Sequence, residues 1–264
     1  MTEPAEKIYD QTYLRENRDG YRPHRDYAAH YFRWGWATSR TGVSIAGKST
    51  LDIGCGPDLP LINVATYKSQ VPSQYVGVDL NPLGKKLTPG QSERITLYGK
   101  TDFTQQSTWE MLLERHGKFD RIICFEAIEH MPKDRGWQLL WGVRQLLSDD
   151  GEFYLSTPVL DKKPAHNHVH EYGVEELGRL VEAAGFHVIK RYGTFANVRD
   201  SVLGLRKWLE DKDYDPLVAD EILDALAEYY SPDVLATFVA PLIPDHSRNN
   251  LWRLELKRDQ DTVY

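Results

Sequence analysis

The chain has 264 residues, 41% of them hydrophobic and 27% charged, enough for one large α/β domain with an added cap and a full core. Its formal net charge of −7 argues against broad attraction to nucleic acid or to an anionic membrane, leaving only a local basic patch as a route to either. Cys55 and Cys124 both lie in apolar, strand-like runs, no apolar run reaches transmembrane length, and Met1–Asp10 is too polar for a secretory signal, so a reducing, cytoplasmic setting is expected.

Residues 1–47 are rich in aromatics and arginine. Between Tyr13 and Trp36, Arg15, Arg18, Arg22, Arg25 and Arg33 interleave with Tyr21, Tyr27, Tyr31, Phe32, Trp34 and Trp36. Such mixing suits stacking on single-stranded nucleic acid, but Glu16, Asp19 and Asp26 dilute the charge, which favours a helical cap packed on a sheet.

From about Ser49, short β-rich runs alternate with helical patterns, as in βαβ units. The predicted strands are Thr50–Ile53, Gln74–Asp79, Arg94–Tyr98, Phe119–Phe125, Glu152–Ser156, Phe186–Arg191 and Leu251–Leu256. The predicted helices are Pro60–Lys68, Gln105–His116, Lys133–Leu147 and Val174–Ala184, with Asp149-Asp150-Gly151 as a turn and Gly185 as a left-handed cap. The expected architecture is α/β: a Rossmann-like, seven-stranded, mostly parallel sheet with helices on both faces. The core spans 48–193. A helical insertion at 194–248 carries helices near Ser201–Glu210, Leu217–Tyr229 and Pro232–Val239, and 249–264 holds the last strand and tail. An insertion of this length suits a substrate lid, or alternatively a homodimer surface.

Ser49-Thr50-Leu51-Asp52-Ile53-Gly54-Cys55-Gly56 runs a strand into a Gly-x-Gly turn, where open α/β sheets bind ligands. The next strand ends in Asp79, an acid placed to accept from ribose hydroxyls. The third is followed by Asp102-Phe103, an acid and an aromatic suited to an adenine edge and face. The fourth ends at Phe125-Glu126. Asp58 next to the glycine turn would repel a pyrophosphate, which weighs against a nicotinamide dinucleotide.

Leu51–Gly56, Val78-Asp79, Asp102-Phe103, Phe119–Cys124 and Asp150–Phe153 come in order, and together resemble the successive motifs of class I S-adenosylmethionine-dependent methyltransferases. The resemblance implies S-adenosylmethionine as cofactor and a binding set of Arg33, Asp52, Gly54, Gly56, Asp79, Leu80, Asp102, Phe103 and Glu126. In some members an Arg-aromatic motif, matched here by Tyr31-Phe32-Arg33-Trp34, holds the methionine carboxylate; a surface arginine is the alternative. Asp58 stands where many members have a third glycine.

Glu126, Glu129 and His130 share one face if they lie on a helix. With the downstream His166–Tyr172 segment they would form a divalent-metal site of Glu126, Glu129, His130 and His168, holding Mg²⁺ or another divalent ion. Alternatively, Glu129 and His130 only orient the loop. The Glu-x-x-Glu-His pattern resembles ubiquinone-biosynthesis O-methyltransferases. With His168 and Glu171 it also resembles glycan-type and small-RNA 3′-end O-methyltransferases. These likenesses imply methyl transfer to a small-molecule or sugar hydroxyl, with His168, His170 or His130 as catalytic base. The alternatives are a nucleic-acid methyltransferase and a non-catalytic cofactor-binding protein. The expected partner is a small-molecule acceptor, ahead of nucleic acid, with no membrane.

Overall fold

The computed structural model describes residues 25–39, 44–84, 87, 89–160, 164–230 and 232–257. The arginines and tyrosines expected before residue 25 lie outside the described residues.

Seven strands form one sheet: β1 (Ser49–Ile53), β2 (Gln74–Val78), β3 (Ile95–Tyr98), β4 (Phe119–Phe125), β5 (Leu147–Pro158), β6 (Phe186–Phe195) and β7 (Asn249–Leu256). Their spatial order is β3-β2-β1-β4-β5-β7-β6. The first five are parallel, while β7 runs antiparallel to both its neighbours. The order reverses beside β1, so the loops after β1 and β4 flank the crevice where such sheets bind ligands.

The strands are continuous apolar runs because both faces are covered. One face, with Leu51, Ile53, Val76, Ile122, Cys124, Phe153 and Leu155, packs on α4 (Gln106–His116), α5 (Lys133–Leu146) and α6 (Val174–Ala183). The other, with Tyr75, Ile123 and Tyr154, packs on α1 (Arg25–Ala37) and α2 (Pro60–Tyr67). A one-turn helix, α3, occupies Pro89–Ser92. Leu139, Leu140, Val143 and Leu146 make the buried stripe of α5 at helical spacing. Gly185 takes φ 89° after α6, as its left-handed cap role requires.

Two local expectations fail. Asp149-Asp150-Gly151 is no turn: α5 ends at Leu146 and β5 already begins at Leu147, paired with Phe119, with a register shift between Phe119 and Arg121 absorbing the extra residues. The helix on which Glu126, Glu129 and His130 would share a face does not form. Glu126 adopts φ 55°, and only Ile128–His130 coil, as a single 3₁₀ turn. Glu126 lies outside the α-helical backbone region and only Ile128–His130 coil, so the three residues do not share a helical face.

The stretch between β6 and β7 carries α7 (Val198–Glu210), α8 (Val218–Ala227) and α9 (Pro232–Val239), then two 3₁₀ turns at Ala240–Leu242 and Pro244–His246. Ala196, Leu205, Leu209, Ala219, Val239, Ala240 and Ile243 give it a small core of its own. Among the described residues, no helix is long and apolar enough to cross a membrane.

Candidate active site

The loop after β1 is built for close approach. Gly54 has φ 72° and Gly56 φ 69°, and a β-carbon on Gly54 would lie 2.9 Å from that of Ala127. The space around Gly56 is open. The Gly54 and Cys55 amides both donate to Val78 O, which ties the loop to β2. The departure at Asp58 passes to its neighbour: Leu59, fully buried, adopts φ 50° before α2 begins at Pro60.

Asp79 sits at the end of β2, 8% exposed. The Gly56 amide donates to its Oδ2 at 2.9 Å and the Asn81 amide to its Oδ1 at 2.8 Å. Each oxygen keeps a lone pair, so the carboxylate can still receive two hydroxyls. Leu80, beside it, is 67% exposed and offers a bare apolar surface to a planar ring. Asp52 is buried and accepts from the Tyr75 hydroxyl at 2.5 Å. Burial pushes its carboxyl up to about 7 against the opposing Tyr75 hydrogen bond.

Asp102 accepts from the Thr104 amide and hydroxyl, from Gln105 and, at 2.8 Å, from Arg135 of α5. Burial raises its carboxyl, but those bonds outweigh it and hold the group below the usual range. The Phe103 ring departs from expectation. It is 5% exposed and belongs to the core, while its carbonyl accepts from Trp109 Nε1, so it does not present a face to adenine.

Arg33 is not a surface arginine. It is 1% exposed, donates through Nη1 to Thr194 Oγ1 and Asn249 Oδ1, and lies 3.7 Å from Glu126 Oε1. Its Nη2 donates to His30 Nδ1 at 2.5 Å, which fixes the imidazole as a neutral acceptor; burial, then Arg33, lowers His30 to about 4. Glu126 also accepts from Ser156 and, through both oxygens, from Asn249. Burial raises Glu126, but the Arg33 charge and these bonds outweigh it and hold its carboxyl below the usual value.

Glu126 therefore belongs to this ion-pair network, on the α1 side of the sheet. Glu129, His130 and His168 form a separate group, each offering a ligand atom within 4.8 Å of the others. Glu129 is 1% exposed; burial, then the charge of Glu126, pushes its carboxyl well above the usual value. Thr157 donates to its Oε2 at 3.2 Å, and its carbonyl holds the Val169 and His170 amides, which pulls the histidine-rich loop over the cluster. His130 Nδ1 lies 3.1 Å from Asn167 O, and His168 Nδ1 lies 2.5 Å from Glu171 Oε1. With Nδ1 engaged, each ring has Nε2 left for a ligand, the arrangement of a metal-binding histidine. Burial, then His168, lowers His130, which favours its neutral, ligating form. His170 faces the other way, with Nε2 3.4 Å from Glu176 Oε1 and its ring against Tyr172.

Ala127, whose β-carbon crowds Gly54, connects the two halves of the site. The cluster and the glycine loop thus open on the same end of the sheet. Reading the sequence missed Tyr75, Arg135, Thr157, Thr194 and Asn249. Only Asn249-Asn250, two amides opening an apolar strand, carried a signal.

Known proteins agree with this architecture. A family model described as "Methyltransferase domain" matches residues 27–191. A ubiquinone biosynthesis O-methyltransferase from Xanthomonas euvesicatoria pv. vesicatoria (strain 85-10) is 29% identical over 147 residues, covering 56% of this chain and 57% of that protein. The chain thus spans little more than half the length of this relative. A SAM-dependent methyltransferase structure from Archaeoglobus fulgidus has TM-score 0.54 at 16% identity, over 93% of this chain and 99% of that one. The methyltransferase domain of bacterial CtHen1-CN has TM-score 0.52 at 15% identity, over 86% and 100%. At such identities the likeness shows the fold alone.

Proposed function

The chain belongs to the methyltransferase domain family, of the class I S-adenosylmethionine-dependent type, and on that premise we propose that it methylates a hydroxyl of a small-molecule acceptor held at a divalent-metal site of Glu129, His130 and His168. The observation that carries this reading is the pair of histidines anchored through Nδ1 beside a buried carboxylate, on the same end of the sheet as Gly54 and Asp79. The named O-methyltransferase relative supports the choice of a hydroxyl.

The donor set fits a metal. A buried carboxylate pairs with no lysine or arginine at salt-bridge distance among the described residues, and two imidazoles have Nδ1 engaged and Nε2 left to ligate. Two nitrogens and one oxygen suit Mn²⁺, Co²⁺ or Zn²⁺ better than Mg²⁺, which prefers oxygen.

When bound, S-adenosylmethionine supplies an electrophilic methyl group and the divalent ion lowers the pKa of an acceptor hydroxyl. The residues of this chain do the rest. Gly54 and Gly56 let the loop pass close beneath the methionine part, and Asp79 receives the ribose hydroxyls. Leu80 covers one adenine face, and Asp102, set by Arg135, borders its edge. The Arg33–Glu126 network forms the floor between cofactor and acceptor. Arg33 Nε, buried and without a hydrogen-bond partner among the described residues, is the donor left for the methionine carboxylate. His130 and His168, held as ligands, are not free to act as base, so the acidified hydroxyl loses its proton to solvent, and the helical insertion encloses the acceptor.

The test is product analysis. The full chain is incubated with S-adenosylmethionine, Mn²⁺ and three acceptor classes: vicinal dihydroxy aromatics, sugars and short RNA. A methyl ether on an aromatic or sugar supports the reading. Methylation confined to RNA, or to nitrogen, overturns it.

A further inference from the structure

Asn249 and Asn250 are both fully buried at the start of β7, on opposite faces of the sheet. Asn249 is saturated. Its Nδ2 donates to both oxygens of Glu126, and its Oδ1 accepts from Thr194 at 2.7 Å and from Arg33. Asn250 is the reverse: neither Nδ2 nor Oδ1 has a hydrogen-bond partner among the described residues. Burying an amide with both its donor and its acceptor unused is costly and rare, which marks the position as one that takes a polar ligand.

The register shows where that ligand would sit. Asn250 pairs across β5 with Thr157 and across β6 with Gly193, and cross-strand partners project to one face. On the β5 side, the Thr157 hydroxyl is committed to Glu129 Oε2 at 3.2 Å. On the β6 side, a β-carbon at Gly193 would collide with Ser247 Oγ and Ala240 O, so the 3₁₀ segment of the insertion roofs this face. The single Ser247 proton is committed to Ala240 O and Ile243 O, so Ser247 cannot donate to Oδ1, and its oxygen makes no bond with Nδ2. The carboxamide is therefore on the face, and at the register position, between Thr157, which holds Glu129, and the roof, with no hydrogen-bond partner among the described residues.

We propose that Asn250 is a positioning residue of the site, whose carboxamide hydrogen-bonds an O–H group, water or acceptor hydroxyl, held at the Glu129–His130–His168 cluster. Its Oδ1 accepts the O–H proton and its Nδ2 donates to a lone pair, which fixes the direction in which the oxygen faces the methyl donor. This inference rests on the metal-site reading above.

The test uses the full chain and Co²⁺ as the probe, with affinity read by calorimetry and coordination by visible absorption. The proteins are wild type, Glu129→Gln, Asn250→Leu and Asn250→Asp, with S-adenosylhomocysteine affinity as a check on folding. Wild type is expected to bind Co²⁺ and Glu129→Gln to lose it. Asn250→Leu should bind about tenfold more weakly with a displaced absorption band, and Asn250→Asp, which keeps the acceptor but not the donor, should move the band part of the way back. A purely structural Asn250 would leave both readouts unmoved in Asn250→Leu, because an unpaired amide is replaced by an apolar group of similar volume; that result overturns the proposal while Glu129→Gln still upholds the metal site. Absence of Co²⁺ binding by wild type overturns both. Should Asn250→Leu not fold, Asn250→Ser carries the same comparison.

Discussion

Oε1 of Glu171 lies 2.5 Å from Nδ1 of His168 and also accepts the Ala165 amide at 2.9 Å. A buried carboxylate thus fixes both the ring and the loop that carries it. Glu171→Gln keeps the shape but weakens the grip on the imidazole. Metal affinity, measured by Co²⁺ titration, should fall about 10–100-fold, the range for such supporting partners, with little change in cofactor affinity. An equal loss of both would mean that Glu171 only holds the loop.

Asp79→Ala removes the acceptor for the ribose hydroxyls and frees the Gly56 and Asn81 amides. Each lost hydrogen bond to a charged group is worth about 1.5–3 kcal/mol. Calorimetry with S-adenosylhomocysteine should show affinity reduced at least about 100-fold. Near-unchanged binding would remove Asp79 from the cofactor site.

Gly54→Ala places a methyl group 2.9 Å from Ala127 at φ 72°. The strain should cost about 1–3 kcal/mol and shift the Glu129-bearing loop. Both a lowered melting temperature and weakened cofactor binding are expected; full stability in a melting scan would show that the contact yields freely.

Arg33→Met leaves Glu126 buried without its cation. Breaking one side of such a pair costs about 3–5 kcal/mol, whereas removing both charges is far milder. Denaturant melts should therefore rank Arg33→Met below Arg33→Met/Glu126→Gln, which removes both charges but keeps an acceptor for Ser156 and Asn249. The opposite order would show that the pair is not the link holding α1 to the sheet.

Asp52 gives a signed pH dependence. Its folded pKa of about 7 exceeds the ordinary 3.8, so the folded chain holds a proton that the unfolded chain has lost. Stability from this group is present below about pH 4 and is lost as pH rises through 7. At 1.36 kcal/mol per unit the full swing is on the order of 4 kcal/mol, an upper bound. Asp52→Asn should flatten the fall in melting temperature between pH 5 and 8 in the cofactor-free protein. An identical slope in both proteins would place the proton elsewhere.

Much of this was legible in the sequence because parallel strands covered on both faces must be short apolar runs, and Gly54, Gly56, Asp79 and Gly185 satisfy local conformational demands. Glu129, His130 and His168 were also readable as residue types. Their partition was not. Their spacing would have put Glu126 on the same face only on a helix, but a left-handed residue there sends Glu126 to Arg33 and Glu129 to the histidines. Phe103 looked like a ligand contact, yet its ring is drawn into the core beside Trp109. Asn249, Thr194 and His30 reach the site from segments far apart in the chain, which no local pattern could bring together.

The proposed metal-assisted acceptor site lies beside the cofactor loop. An anomalous-difference map from crystals of the full chain grown with Mn²⁺ and S-adenosylhomocysteine tests it most directly. A peak is expected at coordination distance, about 2.0–2.2 Å, from Glu129, His130 Nε2 and His168 Nε2. S-Adenosylhomocysteine lying over Gly54 and Asp79 with no peak at that cluster would contradict it.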